Sequence, residues 1–223
     1  ALLVVSGKIE QPRVIPNPFQ RIWCLLEIWT GSVHMGKLLD VAAYHCALLT
    51  DGSDAEPSKC SVSAELLTEG LSMDERRMER KRDGSGIQHK VQREEPFPTA
   101  FFEPALGLEL EGSKATELSD IAVILNWFAR RPDLHADPPN THRGITKANR
   151  RIRSTLALAA WHHCVQWDRV APPRYALALK EDRWRTLLKL DFAYSNSLDD
   201  NQLIALSEGF HGQLLDVDLR FPR

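Results

Sequence analysis

Basic side chains are concentrated in one stretch of this sequence, and their spacing allows several of them to act together. The five cations between residues 143 and 153 are Arg143, Lys147, Arg150, Arg151 and Arg153. On a helix, Lys147, Arg150, Arg151 and Ser154 share one face, because residues three and four positions apart are neighbours. Such a face binds phosphate-rich partners, so we predict Lys147, Arg150 and Arg151 as interaction residues. The alternative is a solvated helix face without a ligand.

Histidine and cysteine, which are common zinc ligands, occur side by side at two places. These are His45-Cys46 and His162-His163-Cys164. Neighbours in sequence point in different directions on a helix or strand, so they do not converge on one ion. No HExxH, EF-hand or zinc-finger spacing occurs, and the phosphate-binding loops GxxxxGK[ST] and GxGxxG are absent from the sequence. We therefore expect neither a metal nor a cofactor.

The composition argues against some classes of partner and location. The 223 residues carry a formal net charge of −2, which gives no general attraction to nucleic acid or to a membrane surface. No stretch approaches the roughly 18 to 20 apolar residues of a membrane span. Four cysteines show no CxxC spacing, which favours a reducing, intracellular and cytoplasmic setting. Because Ala1 leads directly into an apolar strand, we also expect the native chain to be longer.

Apolar patterns predict an α/β region followed by a helical middle. Residues 1–50 predict a buried parallel strand at 1–6, a helix that begins at Asn17-Pro18, and a second strand near Leu38–Tyr44. Residues 51–171 are predicted to be helical, with an exposed loop near 83–104, where the chain is polar and contains prolines. One helix is expected from Ser119-Asp120 to Arg131, and the longest over 145–168. The predicted inward stripe of the longest helix is Ile145, Asn149, Ile152, Leu156, Ala159 and His163.

Residues 174–223 contain a repeated strand pattern. Leu190-Asp191-Phe192 recurs as Leu219-Arg220-Phe221, so the period from residue 190 to residue 219 is 29 residues. This resembles the start of a leucine-rich repeat array, in which repeats run about 20–29 residues. Either further repeats follow Arg223, or this unit packs against the rest of the chain. The alternative is a single strand–helix–strand unit in an ordinary α/β domain.

The segment Arg21-x-Trp23-Cys24-Leu25-x-Glu27-Ile28 carries a second resemblance. It is similar to the helix that follows the third strand of Toll/interleukin-receptor (TIR) domains, as found in plant members and in protist proteins with TIR-like regions. The resemblance covers about residues 1–45 and implies that Glu27 is the catalytic residue of an NAD-cleaving enzyme. A carboxylate there stabilises the oxocarbenium-like ribosyl centre as nicotinamide leaves. Trp23 and Cys24 are expected to pack this helix against the sheet.

A segment in the middle of the chain is similar to the same protist proteins. Lys114-Ala115-Thr116 leads into a helix capped by Ser119-Asp120, and an Asn-x-x-Ile-Arg run follows at 149–153. This second segment supports the same resemblance but implies no chemistry.

Together these patterns predict an α/β fold with a partial TIR-like strand–helix–strand region, a helical middle and the start of a leucine-rich repeat array. We predict a protein–protein interaction or scaffold module in intracellular signalling or assembly. Its repeat strands bind a protein partner and its TIR-like part self-associates. Two alternatives stay open. One is an NAD-cleaving hydrolase that uses Glu27, and the other is a structural subunit of a larger complex.

Overall fold

Strands and helices are mixed along this chain, which agrees at that level with an α/β prediction. The computed structural model describes residues 2–6, 18–48, 60–68, 70–81, 85–97, 102–167, 172–191 and 199–220. The strands are β1 (Leu2–Ser6), β2 (Asp40–Leu48), β3 (Cys60–Thr68), β4 (Leu187–Asp191) and β5 (Asp216–Arg220). The helices are α1 (Ile22–Ile28), α2 (Met73–Lys81), α3 (Ser85–Glu94), α4 (Glu103–Leu106), α5 (Leu118–Phe128), α6 (Arg143–Trp167), α7 (Pro172–Glu181) and α8 (Asp200–Glu208).

The first sheet has the order β1-β2-β3. Strands β1 and β2 are parallel, with Leu2 opposite Asp40, and α1 lies between them in the chain. A parallel strand, a helix and a second strand therefore occur in the predicted order, with the helix at Ile22–Ile28 and the second strand at Asp40–Leu48 instead of near Leu38–Tyr44. Strand β3 runs antiparallel to β2 and was not predicted, because its composition near Leu66 and Leu67 also suits a helix. This segment forms a strand because it pairs with β2 and buries Leu67, and such tertiary contacts override local propensity.

The exposed loop predicted near 83–104 is wrong for the residues described there, because Ser85–Glu94 forms α3. Its charged side chains Lys90, Arg93 and Glu94 make partly buried ion pairs, while most of the other polar side chains of the helix face water. Arg93 Nε donates to Glu75 Oε1 at 2.8 Å, and Glu94 accepts the backbone N–H of Thr68 at 2.7 Å. Gly86 allows α3 to approach α2 closely, since a β-carbon there would lie 2.1 Å from the backbone oxygen of Glu75.

Helix α1 buries its apolar side but leaves Trp23 half exposed. The prediction that Trp23 packs against the sheet is wrong, because its indole Nε1 donates to Asp120 Oδ2 of α5 at 2.7 Å. Cys24 is half-buried and does pack against the core. The predicted start at Pro18 is a 3₁₀ turn, Pro18–Gln20, and Asn17 lies outside the described residues. A π-helical segment, Trp29–His34, follows α1, and the chain then turns at Gly36 with φ 64°.

The longest helix confirms its predicted stripe. All six residues are buried along α6: Ile145, Asn149, Ile152, Leu156, Ala159 and His163. Helix α5 differs from the prediction at both ends. Glu117 precedes its first turn, and the carboxylate of Asp120 accepts from Trp23 instead of capping the helix. The helix ends at Phe128, before the predicted Arg131, because Arg130 adopts a left-handed conformation with φ 54°.

The last part of the chain consists of two successive helix–strand pairs, α7–β4 and α8–β5. Strands β4 and β5 are parallel, and Leu190 lies opposite Leu219, which is the offset predicted from the repeat. Asp199 and Gln202 form a reciprocal capping box at the start of α8. Leu188 and Leu190 belong to the same apolar core as Ile152 of α6, so this unit packs against the rest of the chain.

Candidate functional site

Glu27, the predicted catalytic residue, is exposed on α1. Beside it, burial raises the pKa of the Cys24 thiol, and the negative charge of Glu27 raises it further. Neither of the two cavities described below is lined by Glu27.

The three predicted interaction cations have different environments. Lys147 is exposed, and the Arg150 guanidinium lies 6.0 Å from the ring centre of Trp184. Arg151 instead turns inward, where its Nη1 lies 3.3 Å from Asp182 Oδ2. The three predicted residues therefore do not form one exposed face, because Arg151 pairs with the buried Asp182.

Asp182 is the centre of a buried ionic cluster that sequence reasoning missed. Its side chain is fully buried, and Oδ2 contacts Arg151 and also Arg185 Nε at 3.2 Å. Ser154 donates its hydroxyl to the same oxygen. Arg185 Nη2 donates to Ser154 at 2.9 Å and to Thr155 at 3.2 Å. The cluster joins the middle of α6 to the turn between α7 and β4.

The two segments that resemble TIR-like proteins meet in space. Ile22 donates its backbone N–H to Lys114 O at 3.0 Å, and the Lys114 N–H is 2.6 Å from Gln20 O. Arg21 Nη2 lies 3.4 Å from Thr116 Oγ1, beside the bond between Trp23 and Asp120. Arg21 and Trp23 of the first segment and Thr116 and Asp120 of the second thus hold α1 against the start of α5. Their described contacts are structural.

A polar cleft of about 360 Å³ lies between α6 and the segment around Leu110. Its lining residues are Glu109, Glu111, Asn140, Thr141, Thr146, Asn149, Arg150, Arg153 and Glu181. The Asn-x-x-Ile-Arg run supplies two of them: Asn149 accepts the Leu110 N–H at 2.9 Å, and Arg153 donates to Leu108 O at 2.6 Å. A second cavity of about 310 Å³ shares Arg153 and Glu181 and adds Arg174 and Leu177.

The β4–β5 sheet is covered on one side of β4 but open at β5. Leu188 and Leu190 of β4 are 2% and 4% exposed, whereas Val217, opposite Leu188, is 39% exposed. Leu215, just before β5, is 85% exposed, although its N–H is held by Thr186 O at 2.9 Å. Leu219, opposite Leu190, is partly buried and packs against the core, so the uncovered apolar residues are Leu215 and Val217. We call residues 215–219 the β5 edge.

The tryptophans of the described residues differ in their exposure. Trp161 is fully buried, whereas Trp23 and Trp127 are about half exposed. Trp127 packs edge-on against Phe128, with ring centres 5.0 Å apart. Its exposed ring, like that of Trp23, is available at the surface of the α1–α5 pair.

No group of three or more histidine, cysteine or acidic side chains that could hold a metal occurs among the described residues. None of the helices in the described ranges is long and apolar enough to cross a membrane. Comparisons with protein-family models, curated proteins and solved structures find no match to this chain.

Proposed function

We propose that this protein is a protein-interaction module that binds an extended segment of a partner along the β5 edge. The observation that carries the proposal is the change in exposure between paired residues of one sheet face. Leu188 is buried, and its neighbour Val217 is not. Within the described residues β5 pairs only with β4, so its other side offers backbone N–H and C=O groups to an added strand.

The side chains of β5 specify the chemistry of that segment. Val217 and Leu219 lie on the core-facing side, so a partner strand needs aliphatic residues at alternate positions to extend the apolar layer. Asp216 and Asp218 lie on the opposite side, and the exposed carboxylate of Asp216 favours a basic residue between the aliphatic ones. The acidic character of this side also disfavours close pairing of β5 with like-charged strands. The partner is therefore an extended segment in which aliphatic and basic residues alternate.

Fluorescence anisotropy with synthetic peptides tests this proposal. A labelled peptide of alternating valine and lysine should bind, whereas a matched peptide of alternating valine and glutamate should bind more weakly. Each cross-strand charge pair contributes up to about 1 kcal/mol, or roughly fivefold in Kd. Asp216→Lys should shift the preference toward the acidic peptide. Such a reciprocal change is not expected from non-specific adhesion.

Substitutions on the two faces of the same sheet provide matched controls. Val217→Ser with Leu215→Ser should remove binding, and Leu187→Ser, which is on the other face, should leave it intact. Equal loss in both variants, or equal binding of both peptides, would overturn the proposal. A dimer in sedimentation velocity that disappears on the Val217 and Leu215 substitutions would instead identify a second copy of the chain as the occupant.

The NAD-cleaving alternative stays a prediction that rests on the resemblance around Glu27. Chromatography of nicotinamide released from NAD tests it, with Glu27→Gln and the exposed control Glu208→Gln. Release that Glu27→Gln abolishes and Glu208→Gln preserves would support the alternative. That result would also mean that NAD cleavage, and not partner binding along the β5 edge, is the principal activity of this protein.

A further inference from the structure

The polar cleft on α6 carries an inference that is independent of the β5 edge. Its volume of about 360 Å³ is at the lower end of the range for small-molecule sites, so it suits a small molecule. The charges that line it are of both signs. Which of them are already paired decides what a ligand must supply.

One wall of the cleft is held by an internal ionic bridge. Arg153 Nη2 lies 3.4 Å from Glu109 Oε1, and its Nη1 lies 3.5 Å from Glu181 Oε2. Its Nε is fixed by the backbone oxygen of Leu108 at 2.6 Å. Arg153 is therefore committed to these two carboxylates and is not available to a ligand, and its single positive charge leaves one negative charge in excess on this wall.

Two further side chains of opposite charge line the cleft and have no ion-pair partner within the described residues, Arg150 and Glu111. Arg150 makes no ion pair there, and its guanidinium is positioned over the ring of Trp184 at 6.0 Å. Glu111 likewise has no cationic partner in those ranges and accepts one hydrogen bond at 2.8 Å, from Nδ2 of Asn149. Asn149 is buried and its Oδ1 is fixed by the Leu110 N–H, so it holds Glu111 in place.

We propose that this cleft binds a small zwitterion, an α-amino acid with a polar side chain. Arg150 pairs with the carboxylate of the ligand, and Glu111 pairs with its ammonium group. A purely anionic ligand would be repelled by Glu111, and a purely cationic one would leave Arg150 unpaired, so a molecule with both charges satisfies both groups. Asn140 and Thr141 supply amide and hydroxyl groups for the polar side chain, and Thr146, whose hydroxyl donates to His142 O at 3.2 Å, supplies an acceptor.

Isothermal titration calorimetry with serine, glycine and glutamine tests the proposal on the full chain. Each amino acid should bind more tightly than ethanolamine, which lacks the carboxylate, and glycolate, which lacks the amine. A hydrogen bond to a charged group contributes more binding free energy than one to a neutral group. Arg150→Gln and Glu111→Gln should therefore each raise the Kd for serine roughly tenfold or more. Arg143→Gln, on an exposed position of the same helix, is the matched control.

The two variants should also differ in which group of the ligand they no longer bind, the carboxylate in Arg150→Gln and the ammonium group in Glu111→Gln. In Arg150→Gln, serine should bind no better than ethanolamine, and in Glu111→Gln no better than glycolate. Circular dichroism establishes that each variant is folded. Absence of binding to the wild-type chain by all three amino acids would overturn the proposal. Equal affinity for serine, ethanolamine and glycolate would overturn it too.

Discussion

Loss of the Asp182 carboxylate should destabilise this protein more than any other single change at a charged residue that we consider. The side chain is fully buried, and it contacts two arginines whose own side chains are only 19% and 14% exposed. Removing one partner of a buried ion pair typically costs about 3–5 kcal/mol, because the remaining charges stay desolvated. Arg151 and Arg185 keep slight access to water, so we expect about 3 kcal/mol for Asp182→Ala.

Urea unfolding followed by tryptophan fluorescence measures this free energy of unfolding. For a chain of this size the loss corresponds to a fall in Tm of about 6–12 °C. Asp182→Asn, which keeps an acceptor for Ser154 but no charge, should lie between Asp182→Ala and wild type. The exposed control Glu208→Ala should stay within about 0.5 kcal/mol of wild type.

A double-mutant cycle shows whether the loss arises from the ion pair itself. Arg151→Ala should cost clearly less in the Asp182→Ala background than in wild type, because the charge it compensates has gone. Additive losses, or a cost of Asp182→Ala below about 1 kcal/mol, would refute the idea that this cluster joins α6 to the turn before β4.

Three further outcomes follow from the described contacts. Burial alone would raise the pKa of Glu75, but hydrogen bonds from Arg93 and the Ser72 N–H lower it below its ordinary value. The ionised Glu75 carboxylate therefore stabilises the folded state above the pKa that Glu75 has in the unfolded chain. This stabilisation is lost as the pH falls through the lower pKa that Glu75 has in the folded state. Wild type should therefore lose unfolding free energy on acidification below about pH 4.5 more steeply than Glu75→Gln, as urea titrations at several pH values would show. Gly144→Ala should lower the free energy of unfolding by about 1–3 kcal/mol in the same assay, because the added β-carbon would lie 2.1 Å from Phe128 O. Gly107→Ala is the matched control and should leave the free energy of unfolding unchanged, because nothing lies within 4 Å of the added β-carbon. Asn149→Ala should cost about 1–3 kcal/mol by leaving the buried Leu110 N–H without its acceptor, and an unchanged midpoint would contradict that role.

The sequence predicted best those elements whose apolar period is long and regular. Helix α6 keeps one mostly apolar stripe over about five turns, so the buried residues from Ile145 to His163 could be named in advance. The offset between Leu190 and Leu219 was readable for a similar reason, because both strands carry the same short pattern.

The remainder depends on contacts between distant residues. Helix α3 has the polar composition of a loop, and it is held by the pairing of Arg93 with Glu75, 18 residues away. Likewise, nothing in the spacing of α6 shows that Arg151 turns toward Asp182 while Arg150 faces a cleft. The exposure of Val217 is set by which side of β5 is covered, and an alternating pattern alone does not determine that.

Amide hydrogen exchange with and without the alternating valine–lysine peptide tests the central proposal most directly. If the peptide adds a strand to the β5 edge, the amides of residues 216–220 should gain protection, and those of β1 to β3 should not change. Protection confined to other elements, or unchanged exchange in β5 at a peptide concentration that saturates binding, would contradict the account.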